Sequence, residues 1–308
     1  MQPIKINFKN PIWGHILLFV AAAFWGGNAP MVKDLQSYGV SAIAVAAFRS
    51  IGAAAAFWLL GLIVRRKQEK VSRKVLLKLF VASLLSIVLN QMLFTAGIAY
   101  TSPVNATIVA TMLPIIAMIM SAFVIKERIT MAKVMGLIIG FAGALLLVLD
   151  GGKGSYNGGL TGDLMCFTAQ VCVAIYMVVF SDIIHKYSVF TLMKWMFLFS
   201  AIVVTPLTWG YTSAIDYAAL PAVAWGELLF IVFCGTFLSY ICFTYGQQVL
   251  TPTIVGMYNY VQPVVASILA VMMGVGMFGL RELIAMALVF GGVYIVNRAK
   301  NLERGMGK

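Results

Sequence analysis

From Phe94 to Arg128 the chain reads FTAGIAYTSPVNATIVATMLPIIAMIMSAFVIKER, and 149 residues downstream the same skeleton returns as FTYGQQVLTPTIVGMYNYVQPVVASILAVMMG. Phe94, Gly97, Pro103 and Pro114 are matched by Phe243, Gly246, Pro252 and Pro263, with the same internal spacing of 11 between the two prolines. Four identities at one offset are not expected from composition alone. The chain reads as one unit made twice.

Working outward, 62% of the residues are hydrophobic and only 10% charged, too little polar material to cover a globular surface in water. A membrane-spanning helix needs about 20 apolar residues. The apolar runs predict ten: 12–31, 41–63, 75–99, 104–125, 131–150, 160–180, 189–209, 225–246, 252–275 and 279–297. They lack the dyad alternation of a transmembrane barrel, so the expected fold is an all-α integral membrane protein. The run from Ile12 reaches full spanning length and is read as the first helix rather than a cleaved signal. The two units are expected at 12–150 and 160–298, five helices each.

All but four of the 22 Lys and Arg residues fall on one side of this arrangement, the exceptions being Lys33, Arg49, Lys153 and Arg281. Because cytoplasmic loops are enriched in these residues, both termini are expected in the cytoplasm. An odd helix number per unit then turns the second unit over, giving an inverted repeat with its site near the midplane. The net charge of +12 reads as topology, not as a nucleic-acid surface. Cys166, Cys172, Cys234 and Cys242 lie in apolar runs without ligand spacing and read as packed thiols.

Polar groups inside apolar runs are the candidate site. Thr107, Thr111, Pro114, Met118 and Ser121 share one helical face, and the second copy carries Gly256, Tyr260, Pro263 and Ser267 with Asn259 and Gln262 beside it. Each proline frees the carbonyl four residues earlier, at Ala110 and Asn259. Asn90 and Gln91 extend this belt, as do Tyr240 and Thr244. These residues either pack helices or line a cavity. Arg49, inside the second span, is either paired internally, with Asp34 as one partner, or a clamp for a substrate carboxylate. No carboxylate stands in mid-membrane as a coupling group, and Glu127 reads as an ion-pair partner of Lys126, Arg128 or Lys133. Gly136, Gly140 and Gly143, with Gly291 and Gly292, form close-packing ridges for contact between the halves or a homodimer. Nothing resembles a phosphate loop, a zinc motif or a catalytic triad, so neither an enzyme nor a cofactor is expected.

The WGGN of Trp25 to Asn28, Lys33, Arg49, the spacing of Pro103 and Pro114, Glu127 and the glycine-rich fifth helix together resemble the EamA family, the ten-helix branch of the drug/metabolite transporter superfamily. The resemblance covers about residues 12–298. It implies an inner-membrane carrier, typically exporting amino acids or related metabolites by alternating access. The second half departs from the pattern: Gly276 is followed by Met277 rather than Glu, and Ala174, Ile175 and Tyr176 replace the Trp-Gly signature. Together these readings assign substrate contact to Trp25, Asn28, Arg49, Asn90, Thr107, Thr111, Tyr240, Asn259, Tyr260 and Gln262, and gating or kinking to Pro103, Pro114, Pro252 and Pro263. The alternatives are a nucleotide-sugar or other polar-metabolite carrier and, from another class, a membrane enzyme or receptor. The expected partners are the bilayer and a small solute.

Overall fold

The computed structural model describes residues 11–63, 69–100, 109–150, 160–272 and 279–306. Pro103 and Thr107 lie outside them. Helices α1 (Pro11–Ser37) and α2 (Ala42–Ile63) are followed by α3 (Arg73–Ser83), which passes through a π-helical turn (Leu84–Leu89) into α4 (Asn90–Tyr100). Then come α5 (Leu113–Val124) and α6 (Met131–Asp150). The second half runs α7 (Leu160–Val179), α8 (Ser181–Lys186), α9 (Val189–Ser213) and α10 (Ala222–Val232), with a second π-helical turn (Phe233–Leu238) leading into α11 (Ser239–Val249). It ends with α12 (Pro252–Met257), a 3-10 turn (Tyr258–Tyr260), α13 (Val261–Met272) and α14 (Leu280–Met306). No strand occurs among the described residues.

Five stretches are long and apolar enough to cross a membrane: Ala42–Leu62, Arg73–Gly97, Leu160–Val179, Val189–Ser213 and Ala222–Val249. Two helices outrun their apolar segments, α1 to Ser37 and α14 to Met306. Hydropathy marks where the chain is apolar, whereas the backbone ladder continues wherever φ and ψ allow it. At the prolines the expected simple kinks are breaks. A turn at Thr111 and Met112 precedes α5, with Pro114 in its first turn, and the 3-10 turn at Tyr258–Tyr260 separates α12 from α13.

The halves pack as images of one another. Helix α6 lies along α14, where a Cβ on Gly136 would stand 2.9 Å from the Gly292 carbonyl oxygen and one on Gly143 would stand 2.6 Å from that of Ala285. A shift of 149 carries Gly143 to Gly292 and Gly136 to Ala285, so the contact is its own image, as a two-fold axis between antiparallel helices requires. Gly136, Gly140, Gly143 and Gly292 are thereby engaged inside the chain, whereas Gly291 meets nothing within contact range. Helices α2 and α9 pair likewise, through a buried Ser50–Ser200 hydroxyl contact at 2.9 Å, stacked Phe57 and Phe197, and edge-on Trp58 and Trp195.

The duplicated glycines mark the exchange between halves. Gly97 of α4 faces Cys166 and the Gly162 carbonyl of α7, and Gly246 of α11 faces Leu18 of α1, each without room for a side chain. Each third span therefore packs on the first span of the other half. At one end, Ser188 donates to Glu69 from both its backbone N–H and its hydroxyl, and Gln248 Nε2 donates to the carbonyls of Ile184 and Tyr187. This is where the turns rich in Lys and Arg meet, hereafter the basic face. At the opposite end Leu35, Val40 and Val45 pack with Ile215 and Leu220.

Candidate functional site

The π-helical turns interrupt the third span of each half and sit 149 residues apart, Leu84–Leu89 against Phe233–Leu238. Such a turn carries an extra residue and leaves a carbonyl without its usual i+4 donor. In the second half, the Ser239 N–H reaches back to Cys234 and Gly235 is the residue left over. Its carbonyl takes three donors from the first half: Trp25 Nε1 at 3.1 Å, Asn28 Nδ2 at 3.4 Å and Arg49 Nη2 at 3.5 Å. Arg49 Nε also donates to Thr236 Oγ1 at 2.9 Å, and that hydroxyl donates onward to the Ile231 carbonyl at 2.8 Å.

A side chain at Gly235 would overlap Asn28, so glycine is required for this approach. Arg49 thus keeps its charge inside the span on backbone and hydroxyl dipoles. Among the described residues no carboxylate pairs with it, Asp34 included. An isolated cation at the bilayer centre costs about 3 kcal/mol on insertion scales, which this cradle offsets.

Beside this hub Trp25 packs on Tyr240 and Phe243, with ring centroids 5.7 and 5.0 Å apart, and Tyr240 meets Phe197 edge-on. Trp25, Asn28, Arg49 and Tyr240 therefore belong to one constellation. Asn90 is elsewhere engaged, donating to the Ala169 carbonyl of α7 at 3.2 Å. Asn259 and Gln262 bond each other at 3.0 Å, so their amides largely satisfy themselves. Tyr260 is fully buried with its ring against Gly140 of α6. Thr111 and Pro114 are buried where α5 meets α7 and α12. Pro252 opens α12 and Pro263 lies in the first turn of α13.

Gln247, Thr253 and the burial of Lys194 escaped sequence reasoning, whereas Gln91 was part of the expected polar belt. Gln91, only 8% exposed, leaves both amide atoms unpartnered, as do Asn28 Oδ1, Gln247 Nε2 and the Tyr260 hydroxyl among other single atoms. Gln247 also accepts from Tyr176 at 3.3 Å and lines a cavity of about 10 Å3 with Ser181, His185 and Val255, about the space of one water. Thr253 donates to Glu127 at 3.0 Å. Lys194, counted by sequence on the basic side and inside the span 189–209, is on the buried face of α9, its ammonium 4.0 Å from the Trp58 ring centroid. Its position five residues inside the helix and the spacing to Phe197 and Ser200 were the available signal.

An all-helical chain with apolar spans, a two-fold internal image and buried polar groups at mid-span defines a membrane transporter, and the comparisons agree. The model of the EamA-like transporter family matches residues 12–149 and 160–298, and the chain belongs to that family. An uncharacterized transporter, YyaM of Bacillus subtilis (strain 168), is 26% identical over 84% of this chain and 86% of its own length. An uncharacterized transporter of Archaeoglobus fulgidus is 25% identical over 92% of this chain and 99% of its own. The WAT1-related protein At3g53210 of Arabidopsis thaliana is 24% identical over 98% of this chain and 89% of its own length. A solved crystal structure, 18% identical, shares the fold with a TM-score of 0.78 over 93% of this chain and 98% of that one.

Proposed function

We propose that the chain carries a small polar organic solute, of the amino-acid or related metabolite class, outward across the cell's inner membrane by alternating access between two inverted five-helix units. The supporting observation is the set of unpartnered polar atoms on Asn28, Gln91, Gln247 and Tyr260, contributed by both halves. A buried donor or acceptor left alone costs about 1–3 kcal/mol. A fold has little reason to keep several unless water or a solute visits them during the cycle. They are neutral groups, and the Asn28 amide adjoins the Trp25 and Tyr240 rings, which suits a solute with both polar and apolar parts.

Of the substrate contacts, Trp25, Asn28, Tyr240 and Tyr260 carry the reading furthest, with Arg49, Asn90, Thr107, Thr111, Asn259 and Gln262 as their surroundings and Pro103, Pro114, Pro252 and Pro263 at the moving joints. A nucleotide sugar is disfavoured, because Arg49 is held by Gly235 and Thr236, and Lys194 is stacked on Trp58. Counterflow in proteoliposomes against amino acids, aromatic metabolites and nucleotide sugars, with and without a pH gradient, tests the assignment. Exchange of an amino-acid-like solute is expected. Exchange of nucleotide sugars alone, or of nothing by folded protein, overturns it.

A further inference from the structure

Helix α5 ends in an unusual turn. Its Ser121 carbonyl accepts the N–H groups of both Ile125 and Glu127, and Lys126 closes the turn at φ 54°, in the left-handed region that glycine enters freely and lysine does not. This conformation turns Glu127 inward. Its carboxylate meets Lys133 of α6 at 3.4 Å, with both side chains nearly buried, and Lys133 donates to the Arg128 carbonyl at 2.6 Å. The other carboxylate oxygen accepts from Thr253, in the first turn of α12 in the opposite half, at 3.0 Å. One turn further along, Gly256 of α12 lies against Pro114 of α5, where a Cβ would stand 2.9 Å from the proline Cα.

We infer that Glu127, Lys133 and Thr253 form a latch that closes the basic face. A shift of 149 places Gly276 where Glu127 stands, Glu282 where Lys133 stands and Val104 where Thr253 stands. In sequence, neither a carboxylate at the place of Glu127 nor a hydroxyl at the place of Thr253 recurs, and the Glu282 carboxylate takes the place of the Lys133 ammonium. Lys133 pairs with one oxygen of Glu127 while Thr253 bonds the other, and a charge-assisted bond of this kind is stronger than a neutral one. The latch holds the basic face closed, and Glu127 is a positioning residue for the step that opens it. The inference rests on the alternating-access reading above.

The latch can be tested without a substrate. In a background with Cys166, Cys172, Cys234 and Cys242 replaced by alanine, Val255→Cys reports on the buried space behind the latch, since Val255 is fully buried and lines the small cavity there. An impermeant maleimide is applied to vesicles of each orientation. Thr253→Val keeps the side-chain shape, removes only the inter-half bond, and is expected to raise labelling from the basic face about tenfold, the equilibrium factor of one charge-assisted bond. Glu127→Gln is expected to raise it as well, since it discharges Lys133's partner. Unchanged labelling in Thr253→Val, an equal rise from both faces, or a rise only in protein without a thermal unfolding transition overturns the latch. If labelling responds while counterflow finds no solute, the latch stands and the carrier reading falls. If counterflow proceeds while labelling stays flat, the carrier reading stands and the latch falls.

Discussion

Gly235 shows how much can depend on a residue with no side chain. Its carbonyl is shared by an indole, an amide and a guanidinium, and any Cβ would occupy the space of Asn28. Gly235→Ala is expected to cost about 1–3 kcal/mol of overpacking, read as a lowered melting temperature in detergent. Arg49→Lys should lose a similar amount, because an ammonium cannot fork between the Thr236 hydroxyl and the Gly235 carbonyl as a guanidinium does. Tyr260→Phe separates packing from function. The hydroxyl has no partner among the described residues, so stability should stay level or rise by up to about 1 kcal/mol. If a solute uses that hydroxyl, counterflow should slow by about two- to tenfold, the factor of one hydrogen bond. Arg49 was visible in the sequence as an odd residue in an apolar run, and Trp25 and Asn28 through the WGGN of the family resemblance. Their common acceptor was not, because a backbone carbonyl has no letter of its own and becomes available only through a π-helical turn.

The five stretches Ala42–Leu62, Arg73–Gly97, Leu160–Val179, Val189–Ser213 and Ala222–Val249 were legible from apolar runs because a span must present about 20 apolar residues to lipid. Their internal irregularities were less so. Pro114 and Pro263 announced a disturbance, yet the chain resets into separate helices where a simple kink was expected. The π-helical turns carried no announcing residue, since LLSIVL and FCGTFL contain no proline. The burial of Lys194 was missed for a related reason: its positive charge was read only for the side of the membrane it marks, while the ring of Trp58 gives an ammonium a place to rest inside the fold. Deleting Cys234 should return the second π-helical turn to a regular helix and rotate Gly235 away from its donors. The loss of three hydrogen bonds, one of them to a charged group, predicts about 2–4 kcal/mol of destabilisation by thermal unfolding. Deleting a loop residue outside the helices, such as Ala218, is the control and should cost much less.

Across the whole molecule, the two halves hold each other through their equivalent spans, α6 on α14 and α2 on α9, and through the exchange of α1 and α7 between them. Gly292→Leu puts a side chain where backbone atoms of Gly136 and Gly140 already lie. It should separate the halves and lower the yield of folded protein more than Gly291→Leu, whose Cβ meets nothing within contact range. Size-exclusion profiles and thermal stability of the two variants give the comparison. The duplication was readable from four letters at a constant offset. The orientation expected from loop charge can be checked by labelling single cysteines at Glu69 and Lys186, which are expected to react from the same side of the membrane.

The paired π-helical turns also bear on history. Each arises from an extra residue at the same point of its unit, and the two points are separated by the same 149 residues as the rest of the repeat. The simplest lineage places that insertion in a single five-helix ancestor, before the gene doubled. A protein of that kind would have worked as two identical copies inserted in opposite senses, each with the same helical defect at its heart. Among the described residues, the second-half turn is the one that carries a ring of donors from Trp25, Asn28 and Arg49. The asymmetry of this carrier is younger than its architecture.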